Sequence, residues 1–224
     1  MNISYKWIKK HVNIHNTFSA EEVADKLKAS TVEVEKVEYQ GKNLEGIVVG
    51  KVLSADKHPN ADKLKVCQVD IGEEKLQIVC GGSNVHEGML VALGKVGAKV
   101  KWHGEGDPVE LAPTSIRGVE SAGMICASSE IGLSEMFPAE EPKEILDLSS
   151  VILAQAGIQL VGTPLAEALK MDDYIFEIDN KSLSNRPDLW GHYGIAREVA
   201  VLFNRDLNEY QVKKIKPVPS GELE

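Results

Sequence analysis

The sequence predicts an α+β protein in which a small β-barrel is inserted into a mixed α/β domain. Between Ile47 and about Ala127, short β-branched runs (IVVGKVL, LKVCQVDI, LQIVCGG, MLVALG) alternate with turn residues and show hardly any helical periodicity. On both sides of this block helix and strand signals are mixed, so the flanks share a texture that the centre lacks. A chain of 224 residues has room for two domains of about 100 residues each, and one domain inserts readily into another whose termini lie close together.

Along the chain, Ser19-Ala20-Glu21-Glu22 spells a capping box, and Val23, Ala24 and Leu27 follow at helical spacing, which predicts a helix over about 20–29. In Thr31 to Tyr39, Val32 and Val34 alternate with Glu33 and Glu35 until Val37 breaks the phase, as in a half-buried strand with a bulge. Gly41 to Gly46 reads as a linker. The central block of about 80 residues and five strands has the size of an OB-fold, a partly open barrel that binds oligonucleotides or oligosaccharides; spacing alone does not separate it from other small barrels. Val151 to Gly162 is apolar but too short to cross a bilayer, and reads as core or interface. Thr163-Pro164 opens a short helix through Lys170, Tyr174 to Ile178 reads as a strand, and Leu189 to Phe203 is an amphipathic helix with Asp188 placed as its N-cap. The expected domains are 1–40 with 152–208 for the flanking α/β part and 41–151 for the barrel. Residues 209–224 are expected to be a linker or a cloning-derived end.

Composition bounds the function. With 43% hydrophobic and 26% charged residues the chain is globular rather than disordered. No charged-then-apolar leader opens it and no run of eighteen apolar residues follows, so no membrane partner is expected. Cys67, Cys80 and Cys126 are odd in number and include no C-x-x-C pair; they read as buried hydrophobes in a reducing, cytoplasmic setting. His11 and His15 stand at i, i+4 without further ligands, so they read as surface residues, and no metal site is expected. Walker A, H-E-x-x-H, G-x-S-x-G and G-x-G-x-x-G spellings are all absent, and no catalytic residue is assigned.

The formal charge of −9 disfavours nucleic acid, because phosphate neutralisation supplies most of that affinity. The distribution of charge works the other way. Residues 41–103 carry 9 positive and 7 negative charges, whereas 104–150 carry 2 and 10.

Three stretches of the central block hold the candidate contacts. His58-Pro59-Asn60-Ala61-Asp62-Lys63-Leu64-Lys65 places a turn between two strands beside a basic cluster of Lys57, Lys63 and Lys65. These groups suit phosphate, or Asn60 and Asp62 merely close the turn while the lysines are solvated. Val79-Cys80-Gly81-Gly82-Ser83-Asn84 lets a backbone approach a ligand closely and offers hydroxyl and amide groups, or it is a plain tight turn. In Ile116-Arg117-Gly118-Val119-Glu120, Arg117 contacts phosphate or pairs with one of the many nearby acids. In the flank, Asn185-Arg186-Pro187-Asp188 reads as architecture, with Arg186 and Arg197 in an ion-pair network with Asp179, Asp188 or Glu198.

In this order and spacing, HPNADKLKVCQVDIG (58–72), IVCGGSNV (78–85), GKVGAKV (94–100) and IRGVESAGMICASSEIGL (116–133) resemble the tRNA-binding domain of the endothelial-monocyte-activating polypeptide type. Ser4-Tyr5-Lys6-Trp7-Ile8, Thr31 to Glu35, Asn185 to Asp188 and Gly194 to Glu198 resemble the amino-terminal region of the bacterial phenylalanyl-tRNA synthetase beta-subunit family, in which that module is inserted into a first α/β domain. The family's usual Thr-Pro before Asn-Arg-Pro-Asp is here Leu183-Ser184. The resemblance implies an OB-fold and a tRNA-binding region, itself non-catalytic and auxiliary to ATP-dependent attachment of phenylalanine to tRNA. It further implies tRNA and a synthetase alpha subunit (alpha2-beta2) as partners, no DNA, and ATP and magnesium only in the parent enzyme. Expected tRNA contacts are Lys57, Asn60, Lys63, Lys65, Ser83, Asn84, Lys99 and Arg117. The alternatives are a stand-alone, chaperone-like tRNA-binding OB-fold protein and a structural module without RNA contact.

Overall fold

The structure, a computed structural model, describes residues 1–14, 17–153 and 160–208. His15, residues 154–159 of the apolar stretch 151–162, and the tail 209–224 lie outside the described residues. In chain order the elements are β1 (Asn2–Ser4), α1 (Tyr5–His11), α2 (Ala20–Ser30), β2 (Val34–Tyr39), β3 (Ile47–His58), β4 (Ala61–Asp70), β5 (Lys75–Cys80) and β6 (Leu90–Lys95). They continue with β7 (Lys99–Val100), β8 (Val109–Glu110), β9 (Thr114–Ile116), β10 (Val119–Ser121), β11 (Gly123–Ile125), α3 (Ser149–Leu153), α4 (Leu165–Ala168), β12 (Tyr174–Ile178) and α5 (His192–Leu202). Two compact units result: Met1–Tyr39 with the chain from Asp173 onward, and Gln40–Asp172.

The first unit is an antiparallel sheet in the order β1-β12-β2 with helices packed on it. Ile3 pairs with Phe176, and the Met1 ammonium donates to the Ile178 carbonyl at 2.7 Å, so this core is closed by residues far apart in sequence. Ile3, Ile8, Val23, Leu27, Phe176, Ile195 and Val199 are fully buried together. The α2 capping box forms as the spelling predicts: Ser19 Oγ accepts from the Glu22 N–H, and the Glu22 carboxylate accepts from the Ser19 N–H. The phase break in β2 is a bulge: Lys36 faces Glu177 and Val34 faces Ile178, leaving Glu35 unpaired between them.

The last helix differs from expectation. It starts at His192 with Gly191 as N-cap, while Pro187–Leu189 forms a separate 3-10 turn. Asp188 does not cap it, because its carboxylate is held by Arg186 and Arg197. Gly194 makes this arrangement fit: a Cβ there would stand 2.2 Å from the Asp188 carbonyl oxygen.

The second unit is a five-stranded antiparallel sheet, β11-β6-β3-β4-β5, curled into a near-closed OB-type barrel. Closure comes from the segment before β11: the Ala122 N–H donates to Gln77 O at 3.0 Å, and Ser121 Oγ accepts from the Val79 N–H. The start of β3 is buried on both faces. Ile47 and Val49 pack with Ala92 and Leu165, Val48 and Val52 with Cys67, Ile78 and Leu93, which accounts for an unbroken apolar run where alternation would mark a one-sided strand.

The segment 160–172 packs in this unit, not with the flanks to which sequence texture assigned it. Val49 needs partners for both backbone groups, and it finds them in Thr163 O and the Gly162 N–H. Leu160, Leu165, Ala166 and Ala168 then fill the barrel core. The helix after Thr163-Pro164 begins at Leu165 with Pro164 as its N-cap, one residue later than the spelling predicts. Gly41 to Gly46 is more than a linker, since Leu44 is buried in the barrel core.

Replacing Ser19 by Ala should lower the stability of the first unit by about 1 kcal/mol in chemical denaturation, the usual worth of an N-cap. Gly194→Ala should cost more than Ser19→Ala in the same measurement, because it forces α5 off the 187–189 turn.

Candidate nucleic-acid interface

The β3–β4 hairpin turns at Pro59-Asn60, and the buried His58 holds the turn in place. The Asn60 N–H donates to His58 Nδ1 at 3.0 Å; the ring proton therefore sits on Nε2, which donates to Ile116 O at 3.0 Å. Asn60 Nδ2 also donates to Arg117 O at 3.0 Å. Two hairpin tips distant in sequence are thus fastened together by one imidazole and one carboxamide.

The second tip is a two-residue turn between β9 and β10. Arg117 (φ 48°) and Gly118 (φ 87°) both take positive φ, as a type I′ turn requires. Arg117 projects into solvent beside the exposed Lys57 and Lys63 hairpin. Among the described residues none of the three forms an ion pair, although Asp56 and Asp62 are exposed in the same hairpin. Lys57 and Lys65 are cross-strand register partners, a like-charge pairing that weakens a sheet unless a counter-charge is supplied. Lys65 is half-buried and its ammonium donates to Val85 O at 2.6 Å, which commits one of its three N–H donors and holds the side chain against the protein.

The glycine loop after β5 is committed to the chain itself. A Cβ on Gly82 would meet Ile145 Cγ2 at 2.7 Å, so the backbone that approaches closely here is the protein's own. Asn84 acts as a substitute strand: Nδ2 donates to Ile145 O and Oδ1 accepts from the Ile145 N–H, both at 3.0 Å. Ser83 is exposed, and its N–H donates to Lys143 O, which brings Lys143 to the site together with the acidic run Glu140, Glu141 and Glu144. Cys80, which ends β5, pairs in register with Lys65, so this loop lies at the same end of the barrel as the hairpin tips.

Lys99 does not join them. It lies on β7, opposite Glu110, next to the loop where Gly46 packs on Ala98 at the start of β3, whereas Lys57 and His58 lie at the end of that strand. Sequence reasoning gave His58 no role and missed Lys143. The histidine's position directly before Pro-Asn was its only local signal, and Lys143 had none, being 60 residues from Ser83.

All three cysteines are buried in the barrel core, and burial pushes the Cys67 and Cys126 thiols up to about 12 and raises Cys80 as well. In the first unit, Arg186 grips Asp188 with two bonds and reaches Glu198, while Arg197 reaches Asp188 at 2.8 Å. Arg186 holds the Asp188 carboxyl below its usual range. The group is an ion-pair network that ties the 187–189 turn to α5.

A barrel of this type, with paired hairpin tips at one end and cations there that form no ion pair among the described residues, is an architecture that oligonucleotide-binding modules use. Residues 47–147 match the family described as "Putative tRNA binding domain". The chain as a whole matches the amino-terminal region of bacterial phenylalanine-tRNA ligase beta subunits at moderate identity over most of its length. It is 40% identical over 92% of its length to that of Oceanobacillus iheyensis and 39% over 93% to that of Halalkalibacterium halodurans. The beta subunit of Wolinella succinogenes is 46% identical over 73% of the chain. The chain spans about a quarter of the length of the first two relatives (24% each) and 19% of the third.

Removing the Asn84 amide by Asn84→Ala should cost about 1–3 kcal/mol, because it strips partners from both backbone groups of Ile145; urea denaturation reads the loss. The raised thiol pKa values leave almost no thiolate below about pH 9, so iodoacetamide should modify Cys67 and Cys126 slowly in the folded protein and readily in denaturant.

Proposed function

We propose that this chain is the tRNA-binding, amino-terminal part of a phenylalanine-tRNA ligase beta subunit, non-catalytic in itself and auxiliary to ATP-dependent attachment of phenylalanine to tRNA. In that reading the partners are tRNA and a synthetase alpha subunit in an alpha2-beta2 enzyme of the cytoplasm. One observation carries the RNA contact: Lys57, Lys63 and Arg117 form no ion pair among the described residues and stand around two hairpin tips that His58 and Asn60 lock together. Such an array meets a phosphate backbone without reordering.

The contact set is narrower than the sequence implies. Lys57, Lys63 and Arg117 would take phosphates, with the Ser83 hydroxyl at the edge. Asn84 would act by holding its loop, since both ends of its amide bond Ile145, and Asn60 and Lys65 would act chiefly in the same way, through the bonds of Asn60 Nδ2 to Arg117 O and of the Lys65 ammonium to Val85 O. Lys99, at the other end of β3, would contribute little. Among the described residues no three His, Cys, Asp or Glu side chains are grouped to hold a metal ion. ATP and magnesium would act in the rest of the enzyme.

Titrating tRNA against the chain at several salt concentrations tests this. Binding should weaken steeply with salt, and Lys57→Ala with Lys63→Ala should reduce the log–log slope by about 2, roughly one for each phosphate no longer neutralised. Lys99→Ala should leave the slope unchanged. Absence of binding at low salt would overturn the proposal and favour a structural module.

A further inference from the structure

We propose that α1 and the start of α5, in the first unit, form a second RNA-contacting surface, where Trp7 stacks on an unpaired base and Lys9 and Lys10 take the adjoining phosphates. This surface belongs to a different unit from the barrel and rests on different residues. From Met1 to Ala20 the chain has three lysines and no acidic residue, within a protein of net charge −9. All three lysines lie on α1.

The aromatic groups there are arranged as a platform. Trp7 is half-exposed and packs on the His192 ring, centroids 4.9 Å apart. The Lys10 ammonium stands 5.5 Å from the Trp7 ring centre and that of Lys9 4.8 Å from Tyr5. His11 meets Tyr193 edge-on alongside. Burial lowers the His192 pKa, so at neutral pH its ring supports Trp7 without adding charge.

The one buried acid close by is already committed. Asp173 accepts from the Ser4 hydroxyl on one oxygen and from the Lys6 N–H at the start of α1 on the other. Asp206 is exposed next to Leu207, which bridges to Val12, yet neither Lys9 nor Lys10 forms an ion pair among the described residues. Basic residues in the last turn of a helix also complement its dipole. That accounts for the lysines but not for a tryptophan left half in water beneath one of them. A base has a π-face for Trp7 and a phosphate within reach of each lysine, and stacking with nearby cations is how single-stranded segments of RNA are held.

The test labels the whole chain with 5-fluorotryptophan, giving fluorine signals for Trp7, Trp102 and Trp190, with Trp7 assigned through Trp7→Phe. On titration with tRNA at low salt the Trp7 signal should shift saturably and the Trp190 signal should stay put. Lys9→Gln with Lys10→Gln keeps the stems that cover the rings, and should reduce the salt slope by about 1.5. A Trp7 signal unmoved at saturating tRNA, while Lys57 and Lys63 variants still weaken binding, overturns this surface and leaves the barrel reading standing. Unchanged affinity and slope in the double Gln variant also overturns it. No binding at all at low salt would overturn both.

Discussion

Everything in the barrel depends on β3 being hydrogen-bonded along both edges while it changes partners midway. From Ile47 to Lys51 it pairs with β6, and from Lys51 to His58 with β4, so Lys51 is shared by the two ladders. The edge opposite β6 would be bare at Val49, and residues 162–163 cover it; the edge at Val52 is completed by Met89 O and the Gly88 N–H. Gly50 sits inside this crossing because a Cβ there would be 2.6 Å from Val69 Cγ1. The returning chain at 160–172 is therefore a structural part of the barrel, held by an unmet backbone requirement rather than by its own propensity.

The same strand delivers the candidate interface. By carrying His58 to the far end of the barrel it puts a buried imidazole where two turns meet, and each ring nitrogen satisfies a backbone group of a different turn. The result is local rigidity with the cations pointing outward. The excess acid behind the overall charge of −9 is partly engaged within the fold: in the first unit Asp188 and Glu198 pair with arginines and Asp173 accepts from the Lys6 N–H, and near the tips Glu144 accepts from the Glu140 and Glu141 N–H groups. Electrostatic attraction acts over about a Debye length, roughly 8–10 Å in physiological salt, so local balance outweighs the total.

Much of the architecture was legible in the chain. The capping box at Ser19, the phase break at Val37 and the β-branched runs each have a local physical cause, and each forms where the spelling puts it. Asp188 was misread, and the Gly81-Gly82 loop was left open between two readings, for a common reason. An Asp before a helical pattern and a glycine pair after a strand are ambiguous spellings, resolved here by Arg186 and Arg197 in one case and by Ile145 in the other. The candidate contacts divide the same way. Lysine in a turn is visible in sequence, but that the Lys65 ammonium is bound to a carbonyl, while Lys57 forms no ion pair among the described residues, depends on a residue twenty positions from Lys65.

By itself, then, the sequence determined what is set by neighbours within a few residues: helix ends, strand phase, turn chemistry, the placement of a barrel between mixed flanks, and the spellings shared with tRNA-binding modules. The tertiary structure alone decided which polar groups remain available. It joined Asn60 to Arg117 and Asn84 to Ile145, took Lys99 to the opposite end of β3, and packed His192 beneath Trp7. Availability is a matter of distance in space, and a buried donor or acceptor takes whichever partner the fold brings within about 3 Å.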